Sequence, residues 1–291
     1  MLDIFNIFAN TAVGNAQWVW RNIIFDVPWQ QNYFWGLTIA SCIVWSAECV
    51  FPWRKNQGAF RQDFWLDGFY MYFNFFIFSI AINGIYAVIG ERFDAAGVDM
   101  QSLRWFDSSG WHPFLQLLTF FVLLDFLQWV THRILHRVSF FWRFHQVHHS
   151  IKQMGFAGHL RYHWMENVLY KPFKTLGVML IGGFEPEQAF MVHFFTIAIG
   201  HLNHANLKLD YGLLKYIFNN PVMHLYHHAY HLPIKHQYGM NFGLTLSTWD
   251  YLFKTAYVPD KNGDVELGYK GDSSMPKTFL RQLVHGFNQT D

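Results

Sequence analysis

The 291-residue sequence is short of charge: Asp, Glu, Lys and Arg make up 14% of it, against roughly 25% in soluble domains. Its 21 basic and 20 acidic residues nearly cancel, and no Lys/Arg-rich run is present, so no basic field exists to hold nucleic acid, which is not expected as a partner. Cysteine is scarce as well. Cys42 and Cys49 are the only two, both inside an apolar run, which argues against a disulfide framework and a thiolate metal site and reads as two buried apolar thiols. The opening stretch MLDIFNIFANTAVGN has an acid and no base before its apolar part, so it lacks the positive n-region of a secretory signal. Several catalytic signatures are missing too. Without HExxH there is no zincin motif, and without GxSxG, GxGxxG or a P-loop nothing supports a serine hydrolase, a dinucleotide-binding fold or an NTPase.

Apolar residues reach 52% and aromatics 20%, which makes a bilayer the expected solvent for much of the chain. Four regions have the length or apolarity to enter one, a crossing needing about 20 mainly apolar residues. They are residues 33–52, 64–90, 113–131 and 173–200. The last is broken by GGFEPEQ and reads as two half-length helices joined at Gly182 to Gln188. Arg54, Lys55 and Arg61 follow the first region, and Arg133, Arg137, Arg143 and Lys152 follow the third. This bias predicts an outside N-terminus and histidine segments on the cytosolic face. The expected organisation is a membrane-spanning region over 1–112, a histidine-rich catalytic region over 113–257 and a polar cytosolic tail over 258–291.

Histidine is the residue in excess, with 17 in the chain. Three clusters stand out: His132 and His136, spaced HxxxH; His145, His148 and His149, spaced HxxHH; and His224, His227 and His228, again HxxHH. Positions i, i+3 and i+4 share a helix face, so each cluster can aim its imidazoles at one point. At this histidine content a given HxxHH arises by chance about 0.06 times, and here it occurs twice. Eight imidazoles are too many for one four-coordinate zinc and suit two metals; imidazole also takes iron and copper. Soluble di-iron bundles use Glu and ExxH pairs, and this chain has no ExxH. Ligating imidazoles need partners on their other nitrogen, for which Asp125, Gln128, Glu166 and Asn203 are candidates. His112, His193 and His285, each alone, read as ordinary core or surface histidines.

Taken with RYHWME at 161–166, HAN at 204–206, and MNFG and WDYLFKT between 240 and 255, these motifs cover roughly residues 60–256. In them the sequence resembles the fatty acid hydroxylase and sterol desaturase superfamily of membrane di-iron oxygenases. The second cluster begins only nine residues after the first ends, unlike the longer insert of acyl-CoA and alkane desaturases. The resemblance implies an all-α integral membrane protein of about four transmembrane helices, with a cytosolic helical cap carrying a His-rich dimetal site. It implies two iron ions held by His132, His136, His145, His148, His149, His224, His227 and His228. His204, in the His-x-Asn motif, and His163, in the Arg-x-His motif, are expected to complete the set. His159, His201, His231 and His236 depart from the family's pattern and read as groups behind the ligands or as solvated residues.

The activity implied is hydroxylation of an unactivated C–H bond of a lipid with O2 and two electrons. The lipid would be an acyl chain, an ether lipid or a sterol-like molecule. Desaturation at the same site is the alternative. From another class, a nonredox membrane protein holding zinc would need no electrons, and zinc can also substitute for iron. Electrons are expected from a separate donor, ferredoxin or cytochrome b5 with an NAD(P)H reductase, since no flavin or NAD fingerprint is visible. The membrane would be the bacterial inner membrane or the endoplasmic reticulum.

Overall fold

The computed structural model describes residues 4–98, 104–259 and 263–287. Its first two helices, α1 (Ile4–Ile23) and α2 (Tyr33–Val50), are tied by two asparagines. Asn32 caps α2 by accepting the Trp35 N–H at 3.1 Å, and its amide donates to the Asn22 carbonyl at 2.9 Å. α3 (Phe64–Tyr72) passes through a π turn at Phe73–Ile77 into α4 (Phe78–Ala95), against which α1 packs. α5 (Pro113–Arg137) begins on proline, whose missing N–H is one that no first-turn residue can satisfy within the helix. α6 (Ser139–His149) follows after Val138 alone.

Then come α7 (Trp164–Leu180), α8 (Pro186–His204), α9 (Pro221–His227), α10 (Thr248–Leu252) and α11 (Phe279–Gln282). The strands named among the described residues are β1 (Phe106–Asp107) and β2 (Ile181–Gly182), a parallel pair with Phe106 opposite Ile181. The chain is therefore mostly helical, as expected.

Three helices among the described residues are long and apolar enough to cross a membrane: α2, the continuous Phe64–Ala95 helix, and α5. The expected count was four. Residues 173–200 are divided, because Gly183 adopts a left-handed φ of 89° and Glu185, preceding Pro186, is held extended. The break falls where the sequence put it, yet α7 reaches back to Trp164 and α8 on to His204, so both helices arrive at the histidine centre.

Ile39, Ile43, Phe69, Ile85, Phe114 and Leu118 are exposed on the three apolar helices, while Asn74, Gln116 and Asp125 are buried among them. Apolar side chains outside and polar ones inside is the arrangement a lipid solvent demands. Cys42 and Cys49 are exposed on α2, not buried. Leu37, Met71, Phe76, Phe156, Leu160 and Ile197 form one core cluster that locks the 156–160 turn between α2, α3 and α8. The tail is no loose extension. Gly268 donates its N–H to the His228 carbonyl at 3.0 Å, and the Tyr70 hydroxyl bonds Gln282 at 3.0 Å.

Candidate metal centre

Nine histidines meet where α5, α6, α8 and α9 converge, in two groups. His132, His136, His145, His149 and His227 form the first; His148, His204, His224 and His228 form the second; within each group the nitrogens that could ligate lie within 4.8 Å of one another. Neither HxxHH cluster aims at a single point, as the sequence had suggested. On α6 the i and i+4 residues, His145 and His149, join the first group and His148 at i+3 the second. On α9 the assignment is reversed: His224 and His228 join the second group and His227 the first. Residues i and i+4 lie about 40° apart around a helix and i+3 sits on the other side of i, so one helix can serve two neighbouring points. The ring of His228 stacks on that of His149 at 4.4 Å, which sets the two groups side by side.

The ring orientations are fixed from behind. Nδ1 lies 2.8 Å from the Phe242 carbonyl in His132, 3.0 Å from the Arg161 carbonyl in His148, 2.8 Å from the Gly200 carbonyl in His204 and 2.7 Å from the Met240 carbonyl in His227. His145 Nδ1 meets Glu166 Oε2 at 3.0 Å. Carbonyls only accept, so Nδ1 carries the proton in these rings and Nε2 is left with a lone pair. The Nε2 atoms of His132, His136, His145, His149 and His227 are buried without a hydrogen-bond partner.

In the second group His204 Nε2 lies 3.3 Å from His148 Nε2 and 3.0 Å from His224 Nε2. The first two face each other as lone pairs, an arrangement that a shared cation relieves. Two imidazoles on one tetrahedral ion at about 2.05 Å stand about 3.3 Å apart. Burial pushes His148 down to about 3 and holds His145, His149, His204, His224, His227 and His228 well below the ordinary imidazole value. Neutral imidazole is the ligating form. The donor set, its tautomers and its orphaned nitrogens fit two metal ions.

Of the four residues considered as orienters, Glu166 alone touches a grouped histidine. Asp125 accepts from the Thr245 and Leu246 N–H groups and the Trp249 indole, Asn203 donates to the Leu244 carbonyl, and Gln128 lines a cavity. The backbone carbonyls do most of the work. MNFG supplies two of them, and Asp250 holds that segment by accepting the Phe242 and Gly243 N–H groups and the Trp129 indole at 2.8–3.0 Å. Carbonyl orienters leave no side-chain signature, and only the quoted motif hinted at them.

His163 stands apart from both groups. Its Nδ1 accepts the Met165 N–H at 3.1 Å as the cap of α7, and its Nε2 lies 2.8 Å from the Leu283 carbonyl, so no ring nitrogen remains for a metal and its placement gives no support to a ligand role. His159 and His201 are paired at 3.1 Å, with His201 reaching Ser41 at 3.1 Å. His231 is exposed beside Glu266, and His236 is half-buried.

Residues 117–255 match the family model described as fatty acid hydroxylase. They form a fatty acid hydroxylase domain. The histidine motifs and this match thus agree on one superfamily. The domain is similar to curated relatives. An ornithine lipid hydroxylase of Rhizobium tropici is 28% identical over 213 residues, covering 70% of this chain and 62% of that protein. An alkylglycerol monooxygenase of Caenorhabditis elegans is 28% identical over 134 residues, 45% of this chain and 25% of that protein. A sphingolipid C4-hydroxylase of Schizosaccharomyces pombe is 30% identical over 154 residues, 52% and 50% of the two chains. The chain thus spans less than two thirds of each of these relatives. No solved structure matches it significantly. The fatty acid hydroxylase domain contains all nine grouped histidines and begins inside α5.

Proposed function

We propose that the chain is a membrane di-iron oxygenase that hydroxylates an unactivated C–H bond of a lipid. The observation that carries this reading is the pair of adjoining histidine groups, neutral and buried, whose unpartnered Nε2 atoms face one another at the end of a cavity. The names of the relatives, which act on ornithine lipid, alkylglycerol and sphingolipid, support lipid as the substrate class.

His132, His136, His145, His149 and His227 would hold one iron, and His148, His204, His224 and His228 the other. Iron there would supply the reduction of O2 that converts R–H to R–OH, with two electrons and two protons taken up and the second oxygen atom leaving as water. The chain's own part is to hold ligands and admit substrate. Glu166 fixes the His145 tautomer, the Met240 and Phe242 carbonyls fix His227 and His132, and the buried setting keeps bulk water from the site. Electrons would come from ferredoxin or cytochrome b5 with an NAD(P)H reductase. The centre would face the cytosol, where Lys and Arg cluster after α5.

Metal analysis by mass spectrometry on detergent-purified protein tests this. Wild type is expected to hold about two irons per chain and His148→Ala to lose metal; His163→Ala is expected to keep both. Absence of metal from wild type even after reconstitution with iron would sink the reading. Zinc that iron cannot replace would leave the nonredox alternative.

A further inference from the structure

A cavity of about 570 Å³ leads from the histidine centre into the helix bundle, beginning at His132, His145, His148, His204 and His224. Beyond them its wall is mixed, with Asn15, Ser79, Asn83, Gln128 and Thr196 set among Trp18, Tyr33, Phe75, Leu160, Ile197 and Leu244. The polar groups in this wall give hydrogen-bond partners that a bare hydrocarbon chain would not use.

One face of α7 forms part of this wall. Glu166, Asn167, Tyr170 and Lys174 all line the cavity at helical spacing. The face starts at the centre, where Glu166 meets His145, and Lys174 follows two turns later, about 12 Å along the axis at 1.5 Å per residue. The Lys174 ammonium lies over the Tyr170 ring at 5.5 Å and forms no ion pair among the described residues. Asp125, the acid whose charge reaches it, has its oxygens engaged by Thr245, Leu246 and Trp249. A half-buried ammonium with no direct ion pair is incompletely compensated, and an anion arriving through the cavity would pair with it.

We propose that the cavity receives the polar end of a lipid and that Lys174 binds an anionic oxygen group of its head, a carboxylate or a phosphate. The carbon presented to the histidine centre is then set by its distance from that anionic group. This rests on the oxygenase reading and adds a substrate class to it. Lys174 acts as a positioning residue: it fixes which end of the lipid enters and how deep.

The test is a binding titration by native mass spectrometry on the metal-loaded protein in neutral detergent, without reductant, so that no turnover consumes the ligand. Two pairs differ in head charge alone: dioctanoyl phosphatidic acid against dioctanoylglycerol, and decanoate against decanol. Inorganic phosphate is the fifth probe. At least one anionic lipid is expected to bind about tenfold more tightly than its neutral counterpart, the worth of one charge-assisted hydrogen bond. The pair that shows the difference identifies the group as phosphate or carboxylate. Lys174→Gln is expected to erase the preference and Lys174→Arg to keep it.

Equal affinity within both pairs for wild type would overturn the proposal, as would a preference that survives in Lys174→Gln. Inorganic phosphate binding as tightly as phosphatidic acid would overturn it too, leaving a plain anion site. The wild-type comparison needs no variant, so it decides even if Lys174→Gln fails to fold. Metal content read on the same samples separates the two ideas. Metal-loaded protein without a charge preference overturns this proposal alone, and metal-free protein that keeps the preference overturns the oxygenase reading alone.

Discussion

Glu166 does two things with one carboxylate. Oε2 meets His145 Nδ1 at 3.0 Å, and Oε1 accepts the His163 N–H at 3.3 Å to close the capping box of α7. Burial alone lifts its carboxyl well above the ordinary range. Replacing Glu166 with Ala frees the His145 ring, and losing a partner of this kind commonly costs 10–100-fold in metal affinity. Retention against a graded chelator should therefore fall by roughly that factor in Glu166→Ala, and less in Glu166→Gln, whose single amide oxygen can still accept from His145; equal retention in all three proteins would remove Glu166 from the centre. His163→Ala is the contrasting case. It removes a cap, worth about 1 kcal/mol, and should lower thermal stability while leaving metal content unchanged. Asp250→Ala strips a buried acceptor from the Phe242, Gly243 and Trp129 donors and should cost about 3 kcal/mol. It should also loosen metal at His132, whose ring the Phe242 carbonyl holds.

Among the elements, α6 and α9 trade histidines between the two groups, and α3 holds the loop that orients one of those rings. Arg161 pairs with Asp67 Oδ1 at 3.0 Å and Asp63 Oδ2 at 2.9 Å, while Arg61 bonds the other Asp67 oxygen at 2.5 Å. The Arg161 carbonyl in turn meets His148 Nδ1. Asp67→Ala would leave two buried guanidiniums short of a carboxylate, and breaking a buried pair from one side costs about 3–5 kcal/mol. Thermal unfolding should show that loss, with metal at the second group weakened as well; a variant as stable as wild type would mean that Asp63 alone holds Arg161. Much of the centre was readable in the sequence, because helical periodicity brings HxxHH residues to one side and their number calls for two points. The exchange between helices was not readable. It depends on the axial rotation of α6 against α9, which tertiary packing decides. Nor was α1 expected as a long helix, since its apolar face pays off only against α4, a partner distant in sequence. The limits of α7 and α8 were missed because their apolar middles, not their polar ends at His163 and His204, dominate hydropathy.

Across the three long helices polarity is inverted: apolar side chains such as Ile43 and Phe114 face outward, while Asp67, Asn74, Gln116, Asp125 and His132 are buried. Such an interior is stable only when its polar groups are paired, and the unpartnered Nε2 atoms are the largest set that is not. A metal that supplies their partner is therefore coupled to folding, because the unfolded chain has no preformed site. Stripping the protein with a chelator should lower its unfolding temperature by several degrees or more, with recovery on adding iron. Acid should act in the same direction. The unfolded chain's imidazoles take up protons near pH 6.5, whereas the folded ones resist them, His148 down to about 3. The folded state thus binds fewer protons, and its stability, complete above about pH 7, is lost as pH falls below 6.5. Tryptophan fluorescence melts from pH 8 to 5, with and without metal, would check both effects. The metal-free protein should be flat from 8 to 7 and fall steeply below 6.5, and the loaded protein should track it at a higher temperature until protons displace the metal. Identical curves with and without metal would mean that the histidine groups hold nothing that folding depends on.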